Sequence, residues 1–547
     1  MASRKVQDRE QRFAELLRRD HTLNGGVLVG LDGYFIEIQA RAVEVLREPM
    51  PFEAKWQNGR TTTITGMATG AVKESLQRIS GAFAKLGVNS SDVRILVNLA
   101  PADLPKYGTW LDLPLAIILL QASGYLPDLP DHIEGNFVLM GELGIHGEVR
   151  RIPGALSLAC RAKPGQSLIV PAGNEKECAL IMAKPGHEGC GVFAVSTIDE
   201  VIDFFKGKRS LDNALKEKIS FESAIPQSVD FGRVKGQKAA REAAVISAAG
   251  GHNLLLIGPP GEGKSLIASA IPGILPRLNN EEKVELTRIY SACGKLAHDA
   301  MAVTRRPMRP VHHSASLPSL VGGGSGTPNP GEVTLAHLGV LFLDEIAEFS
   351  RHTLEALRQP IEQGWVTISR VGGTLQFPCQ FTLVAAMNPC PCGFFGSDKC
   401  VCNDAAIDKY QSRISGPLLD RIDLQVELKA LTTDERFSPS EDGVSPRLRA
   451  KVEKARERQL KRFEGSSIPF NAAIPGGHVA DFCNFSPAGF DRFKETIDSR
   501  SLSTRSMDRF AKVSRTVADL EDSDHVEPSH LDTAARFVIG GMLRDRC

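Results

Sequence analysis

The sequence predicts a multidomain α/β protein with a mixed α/β front region, a core built on a parallel sheet and an all-helical C-terminal part. Three observations carry that prediction. The chain has 547 residues, room for three to four domains at about 150 residues each. Strand-length apolar runs such as Phe35-Ile36-Glu37-Ile38, Val93-Arg94-Ile95-Leu96-Val97 and Ser167-Leu168-Ile169-Val170 alternate with helical patterns. Beyond the polar spacer Glu435 to Asp442 the periodicity is helical, with few strand-like runs.

Composition sets limits on the class. Hydrophobic residues at 42% and charged residues at 24% match ordinary globular usage, so the chain buries a core and is neither collagen-like nor low-complexity. The 65 Lys and Arg balance the 65 Asp and Glu. Without a global positive field, any nucleic-acid contact has to come from local patches. The longest apolar stretches, such as Leu115 to Leu120, fall far short of the ~20 residues that span a bilayer, which predicts no membrane helix. The first twenty residues are charged and lack the apolar centre of a signal peptide, so a cytoplasmic protein is expected. Four of the eleven Cys crowd into Cys390 to Cys402, which suits a metal or a reducing compartment better than cross-linking.

The elements then divide the chain in order. Residues 1–21 form a charged tail, 22–207 the mixed α/β region, and 208–228 a linker ending near Pro226. Residues 229–434 read as a parallel sheet with helices on both faces, and 435–547 as the helical part. No fixed-period repeat points to a solenoid or propeller.

The core carries the chemistry. Asn253 to Ile257 is a buried-strand run that feeds Gly258-Pro259-Pro260-Gly261-Glu262-Gly263-Lys264-Ser265, and a helix follows from Leu266. This is the P-loop pattern. Its glycines let successive backbone N–H groups turn inward around phosphates at a helix start. Lys264 is expected to reach the β- and γ-phosphates of ATP, and Ser265 to ligate Mg²⁺. Val340-Leu341-Phe342-Leu343 ends in Asp344-Glu345; a buried strand tolerates no acid, so the pair belongs at the strand's C-terminal edge. Asp344 is assigned to Mg²⁺ and Glu345 to polarising the attacking water, the alternative being a cap on the next helix. Phe381 to Met387 ends in Asn388, which fits either a turn before Pro389 or the residue that orients the water.

From Asp230 onward the chain resembles the magnesium-chelatase-like branch of the AAA+ ATPases, and closely the YifB/ComM family. The resemblance is carried by Val234-Lys235-Gly236-Gln237, Ala248-Ala249-Gly250-Gly251-His252-Asn253, the P-loop, His312-His313-Ser314-Ala315-Ser316, Gly322-Gly323-Gly324, Pro330-Gly331-Glu332 and Leu335-Ala336-His337. It continues through Ala386-Met387-Asn388-Pro389-Cys390-Pro391-Cys392-Gly393 and Arg413 to Asp423. It implies a hexameric ring ATPase with ATP between subunits, Arg421 as an arginine finger entering the neighbour's site, and the helical part as a lid. Without the resemblance, Arg421 reads as an exposed helix-end ion pair. Arg505 is similar to a second sensor on the γ-phosphate, with Arg509 and Arg515 as alternatives.

The front region resembles the same family's Lon-protease-like, S5-type domain, through Asn98 to Leu104, Asp112 to Ala116, Val170-Pro171 and Asn174-Glu175. Peptidase chemistry needs a Ser activated by a Lys. Leu115 stands at the Ser position and no Lys lies in Pro153 to Leu158, so the domain is expected to bind or assemble and not to cleave. The stretch Glu44 to Thr65 departs from the family pattern.

Cys390, Cys392, Cys400 and Cys402 form two Cys-x-Cys pairs separated by seven residues. They can close a structural zinc shell, stay free thiols or form a redox pair. His312-His313 lack a ligand set and read as a structural loop. Arg447, Arg449, Lys451, Lys454, Arg456, Arg458, Lys461 and Arg462 crowd one stretch. They form a solvated helix face or a phosphate-neutralising stripe. Arg305, Arg306 and Arg309 are a smaller basic group, and Arg370 lies on an expected hairpin. The resulting expectation is an ATP-driven ring motor on branched or single-stranded DNA. Its rivals are the ATPase subunit that drives Mg²⁺ insertion into a porphyrin, which leaves the front domain unaccounted for, and a protein-remodelling chaperone.

Overall fold

The computed structural model describes residues 13–45, 61–66, 70–88, 93–127, 136–216, 228–297, 300–324, 328–370 and 373–539. Residues 1–12 of the expected tail, 46–60 of the departing stretch and 217–227 of the expected linker lie outside them, as does the side chain of Arg370. The chain forms two compact units, Met1–Ala224 with Lys283–Thr304, and Ile225–Glu282 with Arg305–Cys547.

The first unit is built on a seven-stranded sheet. Its strands are β1 (Asp20–Val29), β2 (Asp32–Val45), β3 (Thr62–Thr65), β4 (Val93–Ala100), β5 (Phe137–Leu139), β8 (Ser167–Pro171) and β9 (Gly191–Val195), ordered β3-β4-β2-β1-β5-β8-β9, with a small hairpin of β6 (Glu142–Leu143) and β7 (Val149–Arg150) beside it. β1 and β2 run antiparallel from Asp20↔Arg41 to Val29↔Asp32, while β5, β8 and β9 are parallel. Helix Asp112–Ala122 is buried at every residue, as expected for a segment that is apolar on all sides. Leu115 sits inside it, fully buried. Asp112 opens that helix beneath the surface, bonded to Ser75, to Arg78 at 2.6 Å and to the Leu143 N–H at 3.2 Å. Lys283–Thr304 packs here although its sequence position lies within 229–434: the Gly154 N–H donates to the Ser291 carbonyl at 3.0 Å, and Arg288 pairs with Asp32 at 3.0 Å.

The second unit holds a five-stranded sheet of β10 (Leu254–Ile257), β11 (Met308–Val311), β14 (Val340–Leu343), β17 (Thr382–Met387) and β18 (Leu424–Glu427). The order is β11-β14-β17-β10-β18 and every pair is parallel. All four residues of β10 and of β14 are buried, which is why both read as unbroken apolar runs. Two hairpins decorate this unit, β12 (Gly322–Gly323) with β13 (Asn329–Pro330) and β15 (Trp365–Arg370) with β16 (Gly373–Pro378).

Among the described residues beyond β18, the regular elements are helices: Thr433–Phe437, Val444–Arg462, Val479–Cys483, Pro487–Arg500, Thr504–Leu520 and Pro528–Val538, with a short 3₁₀ turn. Their apolar faces share one buried cluster with the sheet, in which Leu256, Val340 and Val384 join Phe510, Val513 and Leu531. No described helix is long and apolar enough to cross a membrane.

The helical part also buries charge. Arg515 and Asp519 are fully buried and lie 3.0 Å apart, and Arg462 and Asn471 complete the shell around the carboxylate. Removing one partner of such a group strands the other charge without solvent. Asp519→Ala is expected to lower stability by about 3–5 kcal/mol. Asp491→Ala, at an exposed pair with Lys494, should change it far less. Urea unfolding of the two variants checks both.

Candidate nucleotide site

β10 delivers residues 258–263 to the C-terminal edge of the parallel sheet, where ligands bind in such folds. The loop needs glycine: Gly261 and Gly263 hold φ of 81° and 87°, a region that side chains disfavour. At Gly258 a Cβ would meet Leu428 Cβ at 2.8 Å. Helix Lys264–Ala270 then points its first side chain back over the loop. Lys264 Nζ donates to the carbonyls of Gly258 at 2.6 Å and Pro259 at 2.9 Å, and to Asn388 Oδ1 at 3.0 Å. Burial pushes this lysine below its ordinary value, while Asp344, Glu345 and Glu262 pull the other way.

The second half of the site comes from β14. Ser265 Oγ donates to Asp344 Oδ2 at 3.0 Å, so hydroxyl and carboxylate meet although β17 separates their strands. Asp344 Oδ1 accepts the Glu345 N–H at 3.0 Å, and Glu345 turns the chain with φ of 51°. Two hard oxygen donors this close suit Mg²⁺. His313 Nδ1 stands 3.3 Å from Glu345 Oε2. A structural loop was expected for His312-His313; the fold sets His313 against the expected catalytic carboxylate.

Other contacts were not legible in the motif. Glu262 is almost wholly buried, accepting from the Leu431 N–H at 3.0 Å and pairing with Arg436 at 2.7 Å. It thus fastens the phosphate loop to the segment after β18. Tyr410, bonded to the Asn388 backbone, has its phenol pushed up to about 12 by burial, with the Glu348 charge adding to it. The family motif His252-Asn253 proves to be a stitch between strands. Asn253 Oδ1 accepts from Leu383 N at 2.8 Å, its Nδ2 donates to the Arg421 carbonyl at 2.8 Å, and its N–H donates to Asp423 at 3.0 Å.

Arg421 and Arg505 form a separate group. Both pair with Glu362, Arg505 at 3.2 Å, and Arg505 also lies 3.9 Å from Asp420. Arg421 also donates to the Pro417 carbonyl, so the side-chain partners of both arginines lie on Pro417, Asp420 and Glu362. The alternatives to Arg505 are occupied elsewhere: Arg509 donates to the Asp420 and Ile422 carbonyls, and Arg515 to those of Cys483 and Asp524.

Most of the basic stretch is committed within the chain. Arg447 pairs with Glu441 at 2.6 Å, Arg458 with Asp522 at 2.9 Å, and Arg449 donates to the Gly273 carbonyl at 3.0 Å. Arg456 stacks over Phe470 and burial pushes it down to about 9. Arg306 and Arg309 likewise pair with Glu282 and Glu332. These arginines brace the fold, so this stretch offers far less free charge to a phosphate backbone than its composition implies. The four clustered cysteines place their sulfurs within 4.8 Å of one another, a set compatible with a tetrahedral zinc site.

Comparison with known proteins decides the family. Residues 230–436 match the family described as magnesium chelatase, subunit ChlI; 52–174 match the one described as subunit ChlI of Mg-chelatase; and 443–537 match its C-terminal family. The chain is 40% identical over 480 residues to the YifB protein of Escherichia coli, covering 87% of this chain and 91% of that one. It is 36% identical over 511 residues to the competence protein ComM of Haemophilus influenzae, covering 91% and 96%. The chain belongs to the YifB/ComM family of magnesium-chelatase-like AAA+ proteins. A chelatase subunit of Pyropia yezoensis is 26% identical over 156 residues and covers 25% of this chain. The chelatase-named match over 52–174 also means that a front domain alone does not set this chain apart from that branch; the extent of the alignment does.

The lysine's depressed value has a sign that can be checked. The buried ammonium loses its proton below the ordinary 10.5, so affinity for a phosphate anion falls as pH rises through that lowered value. A fluorescent ATP analogue titrated from neutral to alkaline pH should show the decline in the wild type. Lys264→Arg, whose guanidinium keeps its proton, should remove it. Wild-type affinity that stays flat up to the ordinary lysine range overturns the assignment.

Proposed function

We propose that this member of the family is an ATP-hydrolysing motor that works as a hexameric ring on branched or single-stranded DNA in the cytoplasm.

 The observation that carries this reading is the double contact across the sheet edge, Lys264 to Asn388 at 3.0 Å and Ser265 to Asp344 at 3.0 Å. It sets a cation, a hydroxyl, an amide and a carboxylate around the mouth of one glycine-lined loop. In this reading residues 229–434 are the ATPase core, 435–547 its helical lid, and 22–207 a Lon-like domain that binds or assembles without peptidase chemistry.

The roles follow from the donors. The loop N–H groups of residues 258–263 and the Lys264 ammonium hold the β- and γ-phosphates. Ser265 and Asp344 hold Mg²⁺, which when bound neutralises charge on those phosphates. Glu345 takes the proton from the attacking water and Asn388 orients that water. His313 beside Glu345 steadies the carboxylate when no substrate engages it. Arg421 and Arg505, gathered on Glu362, serve the nucleotide of a neighbouring copy, where an arginine stabilises charge on the transferring phosphoryl group. In the same reading Cys390, Cys392, Cys400 and Cys402 hold a structural zinc.

DNA as the substrate rests on the likeness to the competence protein ComM over nearly the whole chain, and not on the basic stretch at Arg447 to Arg462. The chelatase reading has its own support in the three family matches. The relatives bearing the chelatase name, however, cover 25% and 37% of this chain.

Two measurements test the proposal. Glu345→Gln should retain affinity for nucleotide while hydrolysis falls by about 10²-fold or more; turnover near the wild-type rate overturns the base assignment. The ATPase rate of the wild type should rise with branched or single-stranded DNA, and the rise should weaken steeply with salt. A rate indifferent to every DNA, but raised by an unfolded protein or by a porphyrin with its partner subunits, overturns the DNA reading in favour of the corresponding rival.

A further inference from the structure

The four-cysteine segment does not stand apart from the nucleotide site. Asn388 ends the run that forms β17, and only Pro389 separates it from Cys390. The Cys390 sulfur lies 3.3 Å from that of Cys392 and 3.9 Å from that of Cys400, and the Cys392 and Cys400 sulfurs are 3.7 Å apart. Four thiolates about 2.3 Å from a zinc ion stand about 3.8 Å from one another at tetrahedral angles. The N–H groups of Phe394 and Val401 point at the Cys392 sulfur, and that of Cys402 at the Cys400 sulfur. Such outer bonds orient the ligands of a metal.

Two contacts tie this knuckle to the phosphate loop. Gly393 holds φ of 84° and donates its N–H to the Cys390 carbonyl at 3.0 Å. Its Cα faces the loop so closely that a Cβ would meet Pro260 Cδ at 2.7 Å and Cγ at 2.9 Å. On the other side, Gln411 Nε2 donates to the Pro389 carbonyl at 2.9 Å. The knuckle itself is turns and bends, and between Pro391 and Cys402 only Gly393 is buried. A segment with so few apolar contacts does not hold one conformation by packing alone. A metal shell supplies the missing constraint.

We propose that a zinc ion bound by Cys390, Cys392, Cys400 and Cys402 fixes both Asn388 and Pro260, so that loss of the metal weakens phosphate binding and hydrolysis together. The positioning role rests on the nucleotide-site reading above, whereas metal content does not. Asn388 reaches Lys264 directly, and Pro260 lies in the loop that lysine closes. Metal removal therefore acts on the site through two routes at once.

The first test is metal analysis of full-length protein purified without chelators. About one zinc per chain is expected, with the four thiols shielded from a maleimide; less than about half an equivalent overturns the site. Zinc is then withdrawn with a mercurial and a chelator, the mercurial is removed with excess thiol to regenerate the cysteines, and zinc is restored. A fluorescent ATP analogue should bind the metal-free protein at least tenfold more weakly, and zinc should restore it. Zinc present but affinity unchanged by its removal overturns the positioning role. Gly393→Ala answers the case in which the metal-free protein unfolds: it should keep its zinc and still lose affinity, by pressing on Pro260. Full affinity in that variant overturns the link to the loop. Failure of zinc-loaded wild type to bind any nucleotide counts against the nucleotide-site reading instead.

Discussion

A half-buried lysine ammonium needs oxygen atoms in place of the water it has lost, and the rest of the second unit is arranged to meet that demand. Two of the oxygens are carbonyls of the loop that precedes Lys264, and the third is the Asn388 amide, delivered by a different strand. For the third to arrive, β17 must lie directly beside β10 with its end in register, as it does from Leu254↔Val384 to Ile257↔Met387. The carboxylate of Asp344 lies one strand further out and reaches Ser265 across the same edge. Sheet order is thus the condition for these contacts: exchanging β17 and β14 would leave the asparagine too distant from the lysine it bonds.

The same logic explains residues that carry no chemistry. Asn253 and Asp423 hold the starts of β10, β17 and β18 level, and uneven starts would put their ends out of line. His252 is fully buried and bonds Thr516 in the helical part at 2.8 Å, so the apolar cluster that joins helices to sheet has a polar contact within it. Glu262 is the least expected of these. It occupies a position of the phosphate loop that the motif leaves unspecified, and it spends its carboxylate on Leu431 and Arg436.

What could be read from the sequence was whatever is local. The glycines, Lys264 and Ser265 are consecutive, and the two acids follow their strand without a gap, so motif and spacing sufficed to single them out. Asn388 stayed ambiguous because an asparagine before a proline has a bland explanation as a turn residue, and its contact with Lys264 depends on a strand pairing that no local pattern announces. His313 beside Glu345, and Arg421 with Arg505 on Glu362, join residues far apart in sequence, and no spacing rule reaches them. The basic stretch stood open between a solvated helix face and a phosphate-neutralising stripe, and the contacts that weigh on that choice are again remote in sequence. Its charges are real, but their counterions lie on Glu441, Asp519 and Asp522, so composition overstated the free charge. The helical reading of the C-terminal part succeeded because amphipathic periodicity is also local; that these helices share the sheet's apolar cluster was not in the pattern.

The placement of Lys283–Thr304 in the first unit has a topological outcome. The polypeptide leaves that unit after Ala224, comes back at Lys283 and departs again at Thr304. The two units are therefore joined by three covalent crossings instead of one. Severing the chain before Ile225 would not liberate an intact front half, since Lys283–Thr304 would remain on the other fragment.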